Sequence, residues 1–499
     1  MLGVDTEIEA IKASVSRYFP ITQIVVNPFA LTFHVAPDPR RLDSDFDALR
    51  QELVPMSYVP SIVSEKGEVL IHVQKRAETK FRGAYLNLLL LVATIGTTSV
   101  AGAVNWSLYA SVSFWSLESF ALGIASFTVP LLLILGAHEM GHYYVAKRHR
   151  VRASLPFFIP SVPILGTFGA FISMRDPIPN RRALLEIGIA GPLVGFALAV
   201  PITIIGLFLT AADPRAPILG GGGEITTSSL LYGFLQALVP ESVLDPFRRH
   251  PTAFAGWVGF FVTAINLLPA GQLDGGHVAR ALVGEKARYL SWGAVFLLLV
   301  LGVMYAGWFL FALIILLLGA RHPPPLNDIT RLRPSRKVLG VLAFVVLALT
   351  FVPQPFIEVP TTTTFAFETT DIPHTRIETM AVTIPGGASS LLALNLNNTG
   401  NVPIRVRVGI DPRNLDIIGW AIRIHNYTLY GPGSAREVGV DADETVISLN
   451  VTEYATVRVS VVVPPIPPAM PPTFEIWGRI VDTDRVLPRS EVTVTVTVS

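Results

Sequence analysis

The chain of 499 residues contains no cysteine. Disulfides, thiolate-ligated zinc and iron–sulfur clusters are therefore excluded, and any bound metal must be held by histidine, aspartate or glutamate. Charge is scarce as well: 15% of the residues are Asp, Glu, Lys or Arg, against about a quarter in ordinary soluble proteins. The net charge of +1 gives no basis for nucleic-acid binding. No cleavable leader is visible at the N-terminus; the first long apolar run begins only near Ala84 and is expected to double as the insertion signal. Lysine is missing from 354–499 altogether, so the chain changes character there.

What replaces charge is apolar surface. Mean hydropathy is +0.52, and the apolar runs are long enough to cross a bilayer. The pattern predicts a polytopic α-helical membrane protein of about seven spans, with a small α+β domain over 1–82, a membrane-embedded domain over 83–353 and an all-β sandwich over 354–499. In the first domain, Glu7 to Tyr18 reads as a helix and Ile21 to Val35 as a strand. Asp43-Ser44-Asp45 reads as the cap of a helix through Leu53, and Tyr58 to Val63 with Glu68 to Val73 as a hairpin around Lys66-Gly67.

Spans are expected near 84–104, 117–146, 184–211 and 252–283, with two short ones in 289–319 turning near Tyr305-Ala306-Gly307, and a last one near 338–353. Basic residues mark the inner ends: Lys75, Arg76, Lys80 and Arg82, then Lys147, Arg148, Arg150 and Arg152, then Arg280, Lys286 and Arg288, then Arg321, Arg331, Arg333, Arg336 and Lys337. Asn105 to Trp115 carries no Lys or Arg and is assigned outside, as is a Gly-rich segment over 212–251 with a short helix at Leu230 to Leu238. The N-terminus then lies inside and the C-terminus outside, as in the plasma membrane of a prokaryote. Four Asn-x-Ser/Thr triplets, starting at Asn105, Asn397, Asn426 and Asn450, all fall in segments assigned outside. Beyond 354 the alternating runs Leu391 to Leu396, Ile404 to Ile410, Val457 to Val463 and Val492 to Val498, separated by turn signals, read as sandwich strands, with Pro464 to Pro472 as a proline-rich loop.

Chemistry concentrates in Gly136-Ala137-His138-Glu139-Met140-Gly141-His142, inside the second span. Histidines four apart share one face of a helix and can hold one metal ion from the same side. Neutral imidazole suits zinc, and Glu139 between them is a natural general base for water. Buried core histidines would be the bland reading, but three ionisable groups in a membrane span are costly and mark function. A third ligand is needed. The fourth span contains Asn266-Leu267-Leu268-Pro269-Ala270-Gly271-Gln272-Leu273-Asp274-Gly275-Gly276-His277. At about 1.5 Å per helical residue, Asp274 and the two histidines reach one depth near the inner face. His277 is a rival ligand but fits better as a hydrogen-bonding neighbour, and the bland role for Asp274 is the cap of a broken helix.

These two motifs, in this order and on two spans, resemble the site-2 protease family of intramembrane zinc metalloproteases. Gly166-Thr167-Phe168-Gly169-Ala170-Phe171-Ile172 resembles that family's membrane-associated β-hairpin, and Ala190-Gly191-Pro192 and Arg321-His322-Pro323-Pro324-Pro325 also fit it. The resemblance covers roughly 84–330. It implies one Zn²⁺ per chain held by His138, His142 and Asp274, Glu139 as catalytic base, and Asn266 near the developing oxyanion. It further implies hydrolysis of peptide bonds within or near the spans of membrane-protein substrates in a lipid bilayer. Segment 166–172, if extended, offers an edge strand to an unwound substrate. No PDZ-like insertion is visible between the spans. A catalytically silent scaffold that binds partners through the outer sandwich is the alternative, against which the complete Glu139 and Asp274 set argues. An intramembrane zinc carrier would need polar groups at several depths, and acids and histidines occur at one.

Overall fold

The fold is described from a computed structural model. It describes residues 2–27, 30–65, 67–76, 85–161, 165–212, 223–239, 249–319, 322–359, 363–370, 375–400, 402–411, 420–431, 434–450, 453–465, 473–481 and 490–498. Lys66, Lys80, Arg82, Arg321 and most of the proline-rich loop lie outside the described residues. The chain divides into two compact units, Met1–Pro217 with Thr226–Phe356, and Ile218–Ile225 with Ile357–Ser499.

The first unit opens with α1 (Leu2–Tyr18), β1 (Ile21–Asn27), β2 (Ala30–Val35), α2 (Leu42–Leu53), β3 (Tyr58–Glu65) and β4 (Glu68–Lys75). The strands form an antiparallel sheet in the order β1-β2-β4-β3. The single strand expected over Ile21 to Val35 is thus two, paired so that Asn27 opposes Ala30; Asn27-Pro28 is a turn signal inside the alternating run. Nor does the Asp43-Ser44-Asp45 triplet cap α2. Arg41 occupies the N-cap without a side-chain bond, and Asp43 and Asp45 sit in the first turn, where they still complement the helix dipole. Phe33, Leu49, Leu53 and Ile62 are fully buried between α2 and the sheet, and Leu326 completes that core.

Among the described residues, three helices are long and apolar enough to cross a membrane: α3 (Tyr85–Ala110), α4 (Leu117–Arg148) and α5 (Arg181–Ala212). Ser116 caps α4 by accepting from the Ser119 N–H, and a π-helical turn interrupts it at Ile124–Thr128. Because α3 runs on to Ala110, Asn105 is helical, its side chain donating to Ala101 O; the expected outer loop shrinks accordingly.

The remaining helices are shorter: α6 (Leu230–Gln236), α7 (Pro251–Asn266), α8 (Asp274–Val283), α9 (Ala287–Leu301), α10 (Gly307–Leu318) and α11 (Pro334–Thr350). The single span expected over 252–283, with Pro269 and the glycines loosening it, is two helices with a tight turn between them. Its cause is local. Pro269 cannot continue a helix, and Gly271 adopts φ +52°. The run 289–319 is a helical hairpin, α9 and α10, turning around Gly302 to Ala306.

Between α4 and α5 the chain forms a ribbon. β5 (Phe157–Pro160) and β6 (Thr167–Phe171) pair antiparallel, and an isolated bridge joins Ala153 to Met174 below them.

The second unit is β-rich. One five-stranded sheet has the order Thr379–Ile384, Ser490–Val498, Thr473–Ile480, Ile404–Asp411, Glu444–Leu449. The other has the order Ser434–Ala442, Ala421–Gly431, Tyr454–Val462, Ser389–Asn398, Phe365–Glu368. Leu394, Val406, Val457, Val459, Phe474 and Val494 are fully buried in the core they share. Alternation along each strand supplies these inward residues, as the period of two requires.

Candidate active site

His138 and His142 lie one turn apart on α4, both buried. Asp274 opens α8, and the turn at 267–273 carries it back toward them. The glycines after it are demanded by that turn: a Cβ on Gly275 would stand 2.0 Å from Leu267 O, and one on Gly276 would stand 2.3 Å from Gly271 O. As a result the Asp274 carboxylate oxygen Oδ2 is 3.2 Å from His138 Nε2 and 3.2 Å from His142 Nε2, and the two ring nitrogens are 3.2 Å from each other. Among the described residues this trio is the group of His, Asp and Glu side chains that could hold a metal ion.

The donor set fits zinc on its own geometry. Tetrahedral zinc with bonds of about 2.0–2.2 Å sets neighbouring ligand atoms roughly 3.3–3.6 Å apart, close to the 3.2 Å edges seen here. Two nitrogens and one carboxylate oxygen leave a fourth position open. The second nitrogen of His142 is also committed: Nδ1–H donates to Ile187 O at 2.7 Å, which fixes the tautomer and turns the Nε2 lone pair toward the trio.

Glu139 is buried beside this set, its carboxylate 3.9 Å from His138 Nε2, and the backbone N–H of Ile172, just past β6, faces it. Asn266, the last residue of α7, places its side-chain nitrogen 3.4 Å from His138 Nε2. The structure thus gathers His138, Glu139, His142, Asn266 and Asp274 into one place. It leaves His277 out of the trio; that ring hydrogen-bonds His322 instead.

Some contributors were not legible as such. Gly191 is one: a Cβ there would stand 2.1 Å from His142 Nε2, so α5 can approach only through this glycine. The Ala190-Gly191-Pro192 signal pointed to the position without giving the reason. Ile187 O and Ile172 N are backbone groups and leave no mark in sequence.

The ribbon is clamped at its base by Asp176. Its carboxylate accepts from Arg152 Nε at 2.9 Å, Arg152 Nη2 at 2.8 Å and Arg76 Nη1 at 2.9 Å. Burial alone would push this carboxyl up, but the hydrogen bonds from Arg152 and Arg76 prevail and hold it down at about 2.

Residues 126–306 match the family described as Peptidase family M50. The probable zinc metalloprotease EGY1, chloroplastic, of Arabidopsis thaliana is 34% identical over 233 residues, covering 45% of this chain and 42% of that protein. The corresponding EGY2 of the same plant is 31% identical over 229 residues, covering 45% and 41%. EGY3 of Oryza sativa subsp. indica is 27% identical over 319 residues, covering 59% and 52%. The chain thus spans roughly two fifths to one half of the length of these curated relatives. The matched stretch contains the His138, His142 and Asp274 trio, and on these findings residues 126–306 are a domain of the M50, or site-2 protease, family of zinc metalloproteases.

Proposed function

We propose that this chain is an intramembrane zinc endopeptidase that hydrolyses peptide bonds within or near the transmembrane segments of membrane proteins. The observation that carries the reading is the convergence of His138, His142 and Asp274 from two distant stretches onto atoms 3.2 Å apart, with Glu139 beside them. Zinc held by these three side chains supplies Lewis acidity for the scissile carbonyl and for water. Glu139 takes the proton from the attacking water and delivers it to the leaving amine. Asn266 donates from its side-chain nitrogen to the carbonyl oxygen as negative charge gathers there. His142 is held in one orientation by Ile187 O throughout.

A peptide bond inside a membrane helix is hidden by its own backbone hydrogen bonds. The substrate must unwind before it can react. Among the described residues β6 pairs with β5 alone, which leaves its other edge open, and an unwound segment adds to that edge as a further strand. Glu139 then lies next to the bound strand, since Ile172 follows β6 directly.

In this reading the chain crosses the membrane seven times, with the N-terminal α+β domain of 1–82 inside, the protease domain over 83–353 in the bilayer and the sandwich of 354–499 outside. The membrane is assigned as a prokaryotic plasma membrane, and the partners are single-span or multi-span protein substrates in regulated proteolysis. The test is cleavage of a reconstituted single-span protein in proteoliposomes. The wild-type chain cuts it and the Glu139→Gln chain does not; cleavage by both would remove the reading.

A further inference from the structure

The strand offered to substrate is not free-standing. Asn87 sits buried near the start of α3, in the apolar first turns that precede the helix's hydroxyl-bearing middle at Thr94 to Ser99. Its side-chain nitrogen donates to Leu155 O at 2.7 Å and to Pro156 O at 3.0 Å, the two carbonyls that lead into β5. Ten residues further along the same helix, Thr97 Oγ1 donates to Gly166 O at 2.6 Å, at the entry to β6. Those two points are about 15 Å apart along the axis, so the hairpin lies lengthwise on α3 and is fastened at both ends. Gly166 has φ +75°, and a Cβ there would stand 2.5 Å from Thr98 Cα, so the hairpin touches the helix backbone itself.

The same helix is locked to α4, which carries His138, Glu139 and His142. Gly102 and Gly123 bring the two backbones together; a Cβ on either would stand 2.4–2.5 Å from the other's backbone. Thr128 Oγ1, in the π-helical turn of α4, donates to Thr98 O at 2.9 Å. One rigid element therefore holds both the catalytic helix and the hairpin. A polar side chain placed in an apolar helix needs a partner. Asn87 finds its partners in two ribbon carbonyls, and Thr97 Oγ1, which also lies 3.2 Å from Ala93 O and Thr94 O of its own helix, makes its shortest contact with the ribbon's Gly166 O.

We propose that Asn87 and Thr97 are positioning residues for the substrate-binding strand: through α3 they set the distance and register of β6 relative to Glu139. The proposal rests on the protease reading for its catalytic consequence. Its structural half, that these two side chains immobilise the hairpin, stands apart from that reading.

The experiment compares wild type with Thr97→Val, Thr97→Ser and Asn87→Leu/Thr97→Val in proteoliposomes, with zinc content measured alongside. Losing these neutral hydrogen bonds lowers kcat/KM about tenfold in the double variant, mostly through KM, while zinc content stays at the wild-type level. Thr97→Ser restores wild-type constants because it restores the hydroxyl. Unchanged constants in the double variant, or a fall that follows zinc loss, overturns the proposal. Amide exchange by mass spectrometry supplies a readout without turnover. Peptides covering 155–171 exchange faster in the double variant while 129–148 is unchanged. Equal exchange in 155–171 overturns the clamp whatever the activity, whereas a wild-type chain that cuts nothing but loses hairpin protection in the variant sinks the protease reading and leaves the clamp standing.

Discussion

At the scale of single residues, the site depends as much on what is missing as on what is present. Gly191 leaves room for the His142 ring, and the 2.1 Å approach of a built Cβ means that even alanine displaces that ring. Gly191→Ala is expected to insert normally, because alanine favours the helix, and to bind zinc roughly 10–100-fold more weakly, as disturbed ligand orientation does. Equilibrium zinc titration checks this; wild-type affinity in the variant would mean that His142 is not a ligand. The candidate ligands that the structure brings together could be picked out of the chain. His138 and His142 declared themselves by a spacing of four, and Asp274 by being an acid in an apolar run. His277 could not be separated from it by spacing, because three residues of helix place both near one face. The turn that aims Asp274 one way and lets His277 meet His322 is a matter of three dimensions.

At the scale of elements, the helices were legible, as was the turn that splits 289–319 in two, whereas the full break after Asn266 was not. α3, α4 and α5 follow from long apolar runs closed by basic residues. Pro269 and the glycines signalled a loosened helix, while continuous hydrophobicity masked how completely the chain breaks after Asn266. That interruption is what lets one stretch present Asn266 at a helix end and Asp274 at a helix start. The hairpin's extended form was expected, whereas its attachments to Asn87, Thr97 and Asp176 join residues far apart in sequence and have no local signature.

The Asp176 clamp gives a pH dependence with a definite sign. Its carboxyl titrates near 2 in the fold against an ordinary value of about 3.9. The folded state thus favours the ionised form, and the stabilisation is complete above pH ~4 and is lost as pH falls toward about 2. Asp176→Asn should lower stability at neutral pH and lack this component of the acid loss, measured as the apparent Tm in detergent between pH 7 and 3. Parallel curves for variant and wild type would show that the clamp contributes nothing.

At the scale of the molecule, the proposed orientation follows from the charge pattern. Most basic residues lie at the helix ends assigned inside, Arg248 and Arg249 before Pro251 being exceptions, and the sandwich strands begin after the last apolar helix. The absence of cysteine makes labelling unambiguous. Ser113→Cys and Ser434→Cys should react with a membrane-impermeant maleimide on intact cells, and Ser335→Cys should react only after lysis. The reverse pattern would invert the assigned topology. The sandwich was visible in the sequence because two-residue alternation is a strong local signal. The docking of the N-terminal sheet was not. Ile62 N–H donates to Leu326 O at 2.8 Å, and Asp43 accepts from Asn327 Nδ2 at 3.2 Å, over separations that no local pattern encodes.

The central claim is that three side chains hold the metal and a fourth moves the proton. Zinc content and cleavage of a single-span substrate, measured together on purified Glu139→Gln and Asp274→Ala, test it most directly. Glu139→Gln should keep about one zinc per chain and lose activity by about 10²–10⁴-fold, as removal of a general base does. Asp274→Ala should lose both. Full zinc and full activity in Asp274→Ala, or zinc loss in Glu139→Gln, would contradict the account.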